Sequence, residues 1–384
     1  MATSKSSIDL ITDLVGFDTT SRNSNLELIE FVKGYLEQFG ISSELVFDRD
    51  RRKANLFATI GAADLGGVAL SGHTDVVPVD GQKWETDPYR IDRKDDRLFG
   101  RGTSDMKSFI AVCLAKVPQM IERNLATPIH FAFSYDEEIG CVGVRTLLRE
   151  LEQRPNKPRL CVIGEPTGMR VVRAHKGKIS RRCTIHGLEA HSGLAHIGVN
   201  AVEAAAEIIA FLKRRAREFR DEGPFDHEFD PPYTTVHTGT VKGGTALNIV
   251  PKLCAFEAEI RHLPNDDPDR VWDQLQKFIE NDILPEMNAV YPDASIEWEE
   301  LSVIPALSTS DDSLIRMTQE LSHTTGTGCV SFGTEGGLFE NIGIPSVVCG
   351  PGYIDQAHKP NEYIEVSQVQ KCEQFVDNLL ARLS

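Results

Sequence analysis

The sequence is 384 residues long, a length that favours two domains or one large domain with an insertion. Its 41 basic and 57 acidic side chains give a formal net charge of −16, which argues against binding to nucleic-acid phosphates or to anionic membrane surfaces. Hydrophobic residues make up 41% and charged residues 26%, as in an ordinary folded protein.

The cysteines and the N-terminal segment predict the compartment. Eight cysteines are too few for a disulfide scaffold, no Cys-x-x-Cys pair occurs, and Cys113, Cys161 and Cys349 lie in apolar runs typical of buried reduced thiols. Charges interrupt the apolar positions of residues 1–14, so no signal-peptide core is present, and no apolar run approaches the roughly 18 residues of a membrane span. We therefore expect a cytoplasmic protein without a membrane partner.

The first part of the chain predicts helices alternating with short strands. Helical spacing of apolar residues predicts two helices over residues 7–39, with a turn around residues 21–25, and a further helix over about 106–123. Four short apolar runs each end in a polar or glycine-rich cluster: residues 67–70, 129–135, 160–163 and 345–349. This alternation predicts an α/β fold with a mostly parallel mixed sheet flanked by helices.

The middle of the chain has a different pattern. An Ala-rich helix is predicted over residues 200–221, and a charged loop, two strands around Gly243-Gly244, a helix over about 268–287 and a strand over 295–301 follow it. This order predicts an α+β domain at residues 179–302, inserted into a discontinuous domain made of residues 1–178 and 303–384.

Acidic residues and a histidine follow three of the predicted strands, where ligands bind in open α/β sheets. His73 and Asp75 are compatible with a metal-binding histidine oriented by a carboxylate, or with a capped turn. The run Asp136-Glu137-Glu138 is compatible with a solvated loop, or with carboxylates whose repulsion needs cations to offset it.

Three further residues each allow two interpretations. Asp105 precedes the helix predicted from residue 106, so it is either an N-cap or a carboxylate that bridges two metal ions. Glu165 is either a turn residue or a ligand, and His358, in the loop after Gly350-Pro-Gly352, is either exposed or a ligand.

Taken together, these residues predict a two-metal site. Two histidines and three carboxylates form two sets of oxygen and nitrogen ligands if one carboxylate is shared. Imidazole and carboxylate without thiolate suit zinc, with cobalt or manganese as alternatives. Two such ions would lower the pKa of an attacking water and stabilise the oxyanion of an acyl-transfer reaction, and Glu137 could carry the proton.

Five motifs, in this order, resemble those of the co-catalytic zinc amidohydrolases and metallopeptidases, which include aminoacylase, glutamate carboxypeptidase, succinyl-diaminopimelate desuccinylase and acetylornithine deacetylase. The motifs are Ser-Gly-His73-Thr-Asp75-Val-Val-Pro, Gly-Arg-Gly-Thr-Ser-Asp105-Met-Lys, Asp-Glu137-Glu138-Ile-Gly, Gly-Glu165-Pro-Thr and Ala-His358-Lys-Pro-Asn-Glu. The stretches after Trp84, around His175 and from Gly350 to His358 are most similar to the acetylornithine deacetylase branch.

The resemblance implies a zinc-peptidase-like catalytic domain with two divalent ions per chain, zinc or cobalt. One ion would be held by His73, Asp105 and Glu165, and the second by Asp105, Glu138 and His358.

The resemblance also implies roles for three other residues of this domain. Glu137 matches the general base and acid, and Asp75 matches the residue that orients His73. Thr334 lies in a Gly-Thr-Glu-Gly-Gly loop expected to line the substrate pocket. The glycine pair after Thr-Glu differs from a familiar enterobacterial form of the deacetylase, so this loop leaves the acyl group and the substrate side chain open.

The inserted domain corresponds in the family to a lid that often dimerises. His191 matches a histidine that polarises the substrate carbonyl, and Asn248 matches a residue that contacts substrate; in several relatives both come from the partner subunit. Arg261 matches an arginine that binds the substrate's carboxylate. Asn248 is also compatible with a hairpin turn and Arg261 with an edge-strand charge.

These features predict a metal-dependent hydrolase acting on the amide of a small N-acylated amino acid. The expected reaction converts N2-acetyl-L-ornithine to L-ornithine and acetate in arginine biosynthesis, with a metal-bridging hydroxide as nucleophile and Glu137 as general base, in a homodimer. Desuccinylase, aminoacylase or carboxypeptidase-like activity at the same site is the alternative. A non-catalytic metal-binding protein is the alternative from another class.

Overall fold

A mixed sheet of nine strands forms the centre of the first of two compact units in the computed structural model, which describes residues 4–384. The first unit runs to Ala174 and resumes over Leu307–Cys329 and Thr334–Ser384, and the second comprises His175–Ala306 and Val330–Gly333. The predicted insertion at 179–302 falls inside the second unit, and its role as a lid stays a prediction. Residues 1–3 of the N-terminal segment considered above lie outside the described residues.

The helices alternate with strands along most of the chain. The helices are α1 Ser7–Val15, α2 Leu26–Gln38, α3 Lys107–Ala115, α4 Val117–Glu122, α5 Val144–Glu152, α6 Ala201–Glu222, α7 Asp269–Phe278, α8 Leu284–Val290, α9 Asp312–Ser322, α10 Gly336–Asn341 and α11 Val366–Leu383. The strands are β1 Ser43–Phe47, β2 Ala54–Ile60, β3 Val68–His73, β4 Asp92–Lys94, β5 Arg97–Phe99, β6 Ile129–Ser134, β7 Leu160–Pro166, β8 Val172–His175, β9 Gly177–His186, β10 Ala190–His191, β11 Thr235–Gly243, β12 Ile249–Val250, β13 Leu253–His262, β14 Ser295–Ile304, β15 Leu307–Ser308, β16 Gly328–Val330, β17 Ser346–Gly350 and β18 Tyr363–Glu365.

The large sheet is parallel at its centre and antiparallel towards its sides. Its order is β1-β2-β6-β3-β7-β17-β8-β15, with β16 paired to β8. Strands β6, β3, β7 and β17 run parallel, whereas β1, β2 and β8 pair antiparallel with their neighbours. Every residue of β3, β6 and β17 is buried, as expected for parallel strands covered on both faces. The carboxyl ends of four buried strands therefore meet at one edge of the sheet.

The helix predicted over about 106–123 is two helices in the structure. Helix α3 ends at Ala115, and α4 begins at Val117 with Pro118 in its first turn. Proline lacks the N–H of a continuous helix, and its ring clashes with the carbonyl four residues earlier, here that of Leu114, so the helix breaks before it. All nine residues of α3 are buried.

A three-stranded sheet, in the order β18-β5-β4, joins two distant parts of the first unit. Tyr363 pairs with Phe99 in antiparallel register. The segment that follows β5, residues 100–105, and the segment that precedes β18, residues 358–362, consequently lie side by side.

The second unit is a four-stranded antiparallel sheet covered by helices. Its strand order is β11-β13-β9-β14. Alternate residues of β13, from Cys254 to Ile260, are buried in a core that also contains Ile208 of α6 and Trp272 of α7. This alternation is typical of an antiparallel sheet with one face in the core.

Two predictions about composition can be compared with the described residues. Seven of the eight cysteines are buried, Cys329 is half-buried, and residues 4–384 form no disulfide. Among the residues that the structure describes, no helix combines the length and the apolar character needed to cross a membrane.

Candidate active site

The predicted ligands of the first unit converge at the carboxyl edge of the parallel strands. His73 is the last residue of β3, Glu165 lies near the end of β7, and Glu137 and Glu138 follow β6. His358 lies in the connection from β17 to β18. Because these strands are parallel neighbours, residues more than 280 positions apart in the chain come together at one point.

His73 connects two carboxylates through one ring nitrogen. Its Nε2 lies 2.9 Å from Oδ1 of Asp105 and 3.6 Å from Oε1 of Glu165. Its Nδ1 lies 2.9 Å from the carbonyl oxygen of Asp75, whereas the Asp75 carboxylate is 3.6 Å away. The ring is buried and anchored by a backbone carbonyl, and Nε2 faces the cluster of acids.

His358 occupies the corresponding place on the other side of Asp105. Its Nε2 lies 3.2 Å from Oδ2 of Asp105 and 3.0 Å from Oε2 of Glu138. Asp105 therefore presents one oxygen to each histidine. It caps no helix: α3 has Met106 at its N-cap and no side-chain cap.

The Asp75 carboxylate fixes the turn that carries the acidic run. It accepts hydrogen bonds from the Ser21 hydroxyl at 2.7 Å and from the backbone N–H groups of Glu137 and Glu138 at 3.0 and 3.3 Å. Asp75 was predicted to orient His73, and its backbone carbonyl makes the closer contact to that ring. Its carboxylate binds the turn that follows β6.

Burial shifts the pKa values of three of these acids upward. Burial raises the pKa of Glu137 to about 8 and that of Glu138 to about 7, and it raises the pKa of Glu165 well above its usual value. Hydrogen bonds to Asp105 and Glu138 raise the pKa of His358 to about 10. The cluster thus favours bound positive charge, whether protons or cations.

The geometry of this cluster fits metal ions. Two overlapping groups of donor atoms lie within 4.8 Å of one another among the described residues: His73, Glu137 and Glu165, and His73, Asp105 and Glu138. Oε1 of Glu138 is buried without a hydrogen-bond partner. A buried carboxylate oxygen without a donor is costly unless something positive binds it, and imidazole with carboxylate is a donor set that zinc accepts.

Glu137 lies beside these acids, and its carboxylate oxygen is within 4.8 Å of the donor atoms of His73 and Glu165. Its backbone follows the turn held by Asp75, its side chain is half-buried, and its Oε1 accepts a hydrogen bond from the Cys141 thiol at 3.2 Å. A half-buried carboxyl group with a pKa near neutrality can exchange protons with a bound water.

Four residues of the Gly-Thr-Glu-Gly-Gly loop, Thr334 to Gly337, are buried. Thr334 has no exposed surface, and its hydroxyl accepts a hydrogen bond from the N–H of Gly336 at 3.0 Å. The Glu335 carboxylate, which the sequence reasoning missed, accepts hydrogen bonds from Ser134 at 2.5 Å and Ser71 at 3.2 Å, and burial raises its pKa to about 7. An acidic residue within a glycine-rich loop was the available signal for it.

The three predicted residues of the second unit lie on its own strands and loops. His191 and Asn248 are exposed, and the Ser192 N–H donates to the Asn248 carbonyl at 3.0 Å, so these two segments are neighbours. The His191 ring accepts a hydrogen bond from the Gly193 N–H at 3.0 Å. Arg261, on β13, donates through Nε to Glu259 at 2.9 Å.

Comparison with known proteins extends the resemblance over nearly the whole chain. The model of Peptidase family M20/M25/M40 matches residues 69–382. Acetylornithine deacetylase of Myxococcus xanthus is 34% identical over 380 residues, covering 97% of this chain and 96% of the relative. Acetylornithine deacetylase of Pasteurella multocida (strain Pm70) is 31% identical over 363 residues, covering 94% and 91%.

A solved structure shows the same architecture. The M20 family metallo-carboxypeptidase Sso-CP2 from Sulfolobus solfataricus matches with a TM-score of 0.77 over 98% of each chain at 18% identity. The predicted fold class and the predicted family resemblance are both confirmed. The chain belongs to Peptidase family M20/M25/M40 and is a hydrolase that acts on amide bonds.

Proposed function

We propose that this protein hydrolyses the N-acyl amide of an N-acylated amino acid, and that its substrate is N2-acetyl-L-ornithine, giving L-ornithine and acetate. One observation carries the chemistry: Asp105 presents a separate oxygen to His73 and to His358, with Glu165 beside the first histidine and Glu138 beside the second. The choice of substrate is supported by the two acetylornithine deacetylases at 31% and 34% identity.

These contacts support a proposed assignment of ligands to two ions. His73, Asp105 and Glu165 would hold one divalent ion, and Asp105, Glu138 and His358 a second, with zinc as the proposed metal and cobalt as an alternative. Two ions at this place would supply a water of lowered pKa and would polarise the acyl carbonyl.

Glu137 is proposed as the proton carrier. Its side chain lies beside the proposed ligands, where a carboxylate could accept a proton from the attacking water and donate it to the leaving amine nitrogen. Asp75 supports this step because its carboxylate holds the backbone N–H of Glu137 at 3.0 Å.

The second unit is proposed to supply substrate contacts. Arg261 would bind the α-carboxylate of the substrate through paired N–H donors, His191 would polarise the scissile carbonyl, and Asn248 would contact the substrate. Thr334 is proposed to shape the pocket through its loop, because its own side chain is buried.

We propose that the second unit is a lid and that the chain forms a homodimer in which His191 acts on the partner's site. Chains carrying His191→Ala and chains carrying Glu137→Gln are each expected to be inactive. If the site is shared, mixing them restores activity, because one site in each mixed dimer keeps both residues. Mixtures that stay inactive while mixed dimers form would contradict this assignment.

A substrate panel tests the proposed function. Zinc-loaded and cobalt-loaded protein is given N2-acetyl-L-ornithine, succinyl-diaminopimelate and N-acetyl-L-methionine, and release of the free amine is measured. The highest kcat/KM is expected for acetylornithine. Preference for the second or third compound would indicate a desuccinylase or an aminoacylase, and no turnover by protein that binds two ions would indicate a non-catalytic metal-binding protein. A place in arginine biosynthesis and a cytoplasmic location are part of the same proposal.

A further inference from the structure

A network of side chains links the segments that carry two of the proposed ligands. It consists of Gln82, Trp84, Arg101 and Glu362, all in the first unit. None of these four side chains takes part in the contacts described above for the carboxylates of the proposed metal site. We call it the Gln82–Glu362 network.

Glu362 holds the backbone of the segment that ends at Asp105. Its Oε1 accepts hydrogen bonds from the N–H groups of Gly102 at 3.1 Å, Ser104 at 2.9 Å and Asp105 at 3.1 Å. One buried carboxylate oxygen thus accepts from three backbone N–H groups in the four-residue segment that ends at Asp105. Hydrogen bonds to a charged acceptor are about twice as strong as neutral ones.

Arg101 connects Glu362 to Gln82. Its Nη1 donates to Oε2 of Glu362 at 2.6 Å, and its Nη2 donates to Oε1 of Gln82 at 2.6 Å. The guanidinium lies 5.1 Å from the ring centroid of Trp84, whose indole N–H also donates to Gln82 Oε1, at 3.0 Å. Arg101 is buried, so this pair is sheltered from water and from salt.

Gln82 ends the network at the other proposed ligand. Its Nε2 donates to the backbone carbonyl of His358 at 3.0 Å. His358 has a φ of +61°, a left-handed conformation that L-residues other than glycine adopt rarely. A donor on its carbonyl helps to hold that conformation and with it the direction of the imidazole.

We infer that the Gln82–Glu362 network positions Asp105 and His358 as metal ligands, with Glu362 acting on Asp105 and Gln82 acting on His358. If the buried Arg101–Glu362 ion pair only stabilised the fold, Glu362 would not need to accept from three backbone N–H groups. Gln82 would not need to donate to the His358 carbonyl. The inference rests on the proposed function, because it takes these two residues as ligands. Groups that orient ligands from outside the coordination sphere typically change metal affinity 10- to 100-fold when mutated.

The two ends of the network predict different effects on the two ions. Only the second proposed ion uses His358, whereas both use Asp105. Gln82→Glu keeps an oxygen for Arg101 and Trp84 but removes the donor to the His358 carbonyl. It is therefore expected to lower the affinity for the second ion about 10- to 100-fold and to leave the affinity for the first within about threefold. Glu362→Gln is expected to lower the affinity for both ions.

The experiment is zinc binding to metal-free protein, measured by competition with a chelator, for the wild type, both variants and a control. Gln374→Glu on α11 makes the same change of charge at an exposed side chain that bonds only to Asn378 in the contacts shown. An added negative charge alone would tighten zinc binding, which is opposite to the effect expected for Gln82→Glu. The melting temperature of metal-free Gln82→Glu should match that of the control.

The outcomes separate the inference from the proposed function. Wild-type protein that binds fewer than two zinc ions contradicts the proposed function and the inference with it. Wild-type protein that binds two ions, with Gln82→Glu binding both as tightly as the control, contradicts the inference alone. If Gln82→Glu lowers the affinity for both ions equally and also lowers the melting temperature of the metal-free protein, Gln82 has a structural role and the inference is overturned. If Glu362→Gln fails to fold, Gln82→Glu decides.

Discussion

The two units present their predicted functional residues in opposite ways. In the first unit, His73, Asp105 and Glu165 are buried, and His73 Nε2 lies 2.9 Å from Asp105 and 3.6 Å from Glu165. In the second, His191 and Asn248 are exposed. Clustered buried carboxylates indicate a cation site by themselves, because their burial is costly unless protons or cations bind them. Exposed polar groups carry no such cost, so their positions alone do not indicate what they bind.

The largest effect is expected from the carboxylate shared by the two proposed ions. Asp105→Asn should release both zinc ions and reduce turnover to the uncatalysed background, because an amide offers one neutral oxygen in place of the two charged oxygens that would bridge the ions. Metal content after dialysis and amine release measure this. The exposed Asp64→Asn should change neither, and retention of both ions by Asp105→Asn would contradict the shared-ligand geometry.

A smaller loss is expected at the proton carrier. Glu137→Gln should lower kcat by ~10²–10⁴-fold, the usual contribution of a general base, while two zinc ions stay bound. Metal analysis beside steady-state kinetics checks both parts. Activity within about tenfold of wild type would show that another group carries the proton.

Arg261→Lys tests whether the second unit contributes to binding. Lysine keeps the charge but not the planar pair of donors, so KM for acetylornithine should rise about tenfold, corresponding to the loss of one charged hydrogen bond. The decarboxylated analogue of acetylornithine is the control substrate, since it has no carboxylate to bind. An equal change for both substrates would remove Arg261 from carboxylate recognition.

The clustered carboxyl and imidazole groups of the first unit should make the stability of the metal-free chain depend on pH. The folded pKa of Glu138, about 7, lies above its unfolded value, so its protonated form stabilises the metal-free chain at low pH, and this stability is lost as pH rises through 7. For His358, with a pKa of about 10, stability is full below about 6.5 and falls as pH rises towards 10. Zinc displaces these protons, so the rise in melting temperature that zinc causes should be larger at pH 8 than at pH 6.

Calorimetry with and without zinc at the two pH values measures this difference. His358→Gln is the matched variant and should reduce the pH dependence. A zinc-induced shift that is the same at both pH values would contradict the view that the buried acids hold protons when metal is absent.

The smallest effect concerns the fold of the second unit. His191→Ala removes an exposed side chain whose hydrogen bond, from the Gly193 N–H, is local, so the free energy of unfolding should change by less than about 0.5 kcal/mol. Denaturant unfolding measures it. A larger loss would mean that His191 serves the fold rather than the substrate.

Much of the first unit could be predicted because its signals are local. Apolar runs ending in His73, Asp136 and Glu165 identify buried strands and the residues at their ends, and parallel pairing then brings those ends together. The break between α3 and α4 was equally local, since Pro118 was visible in the sequence, but the strong apolar pattern on both sides of it obscured the break.

The remainder depends on contacts between distant parts of the chain. Arg101 and Glu362 are separated by 261 positions, and Glu335 reaches Ser71 across 264. No periodicity in the sequence encodes such pairs. The preference of His73 Nδ1 for the carbonyl of Asp75 rather than its carboxylate is a matter of backbone geometry, which residue types alone do not specify.

Stepwise addition of zinc to metal-free protein, with ornithine release from N2-acetyl-L-ornithine followed at each step, tests the central claim most directly. The account predicts that hydrolysis appears with added zinc and reaches its plateau at two ions per chain. A plateau at one ion per chain, or no ornithine release at two, would contradict it.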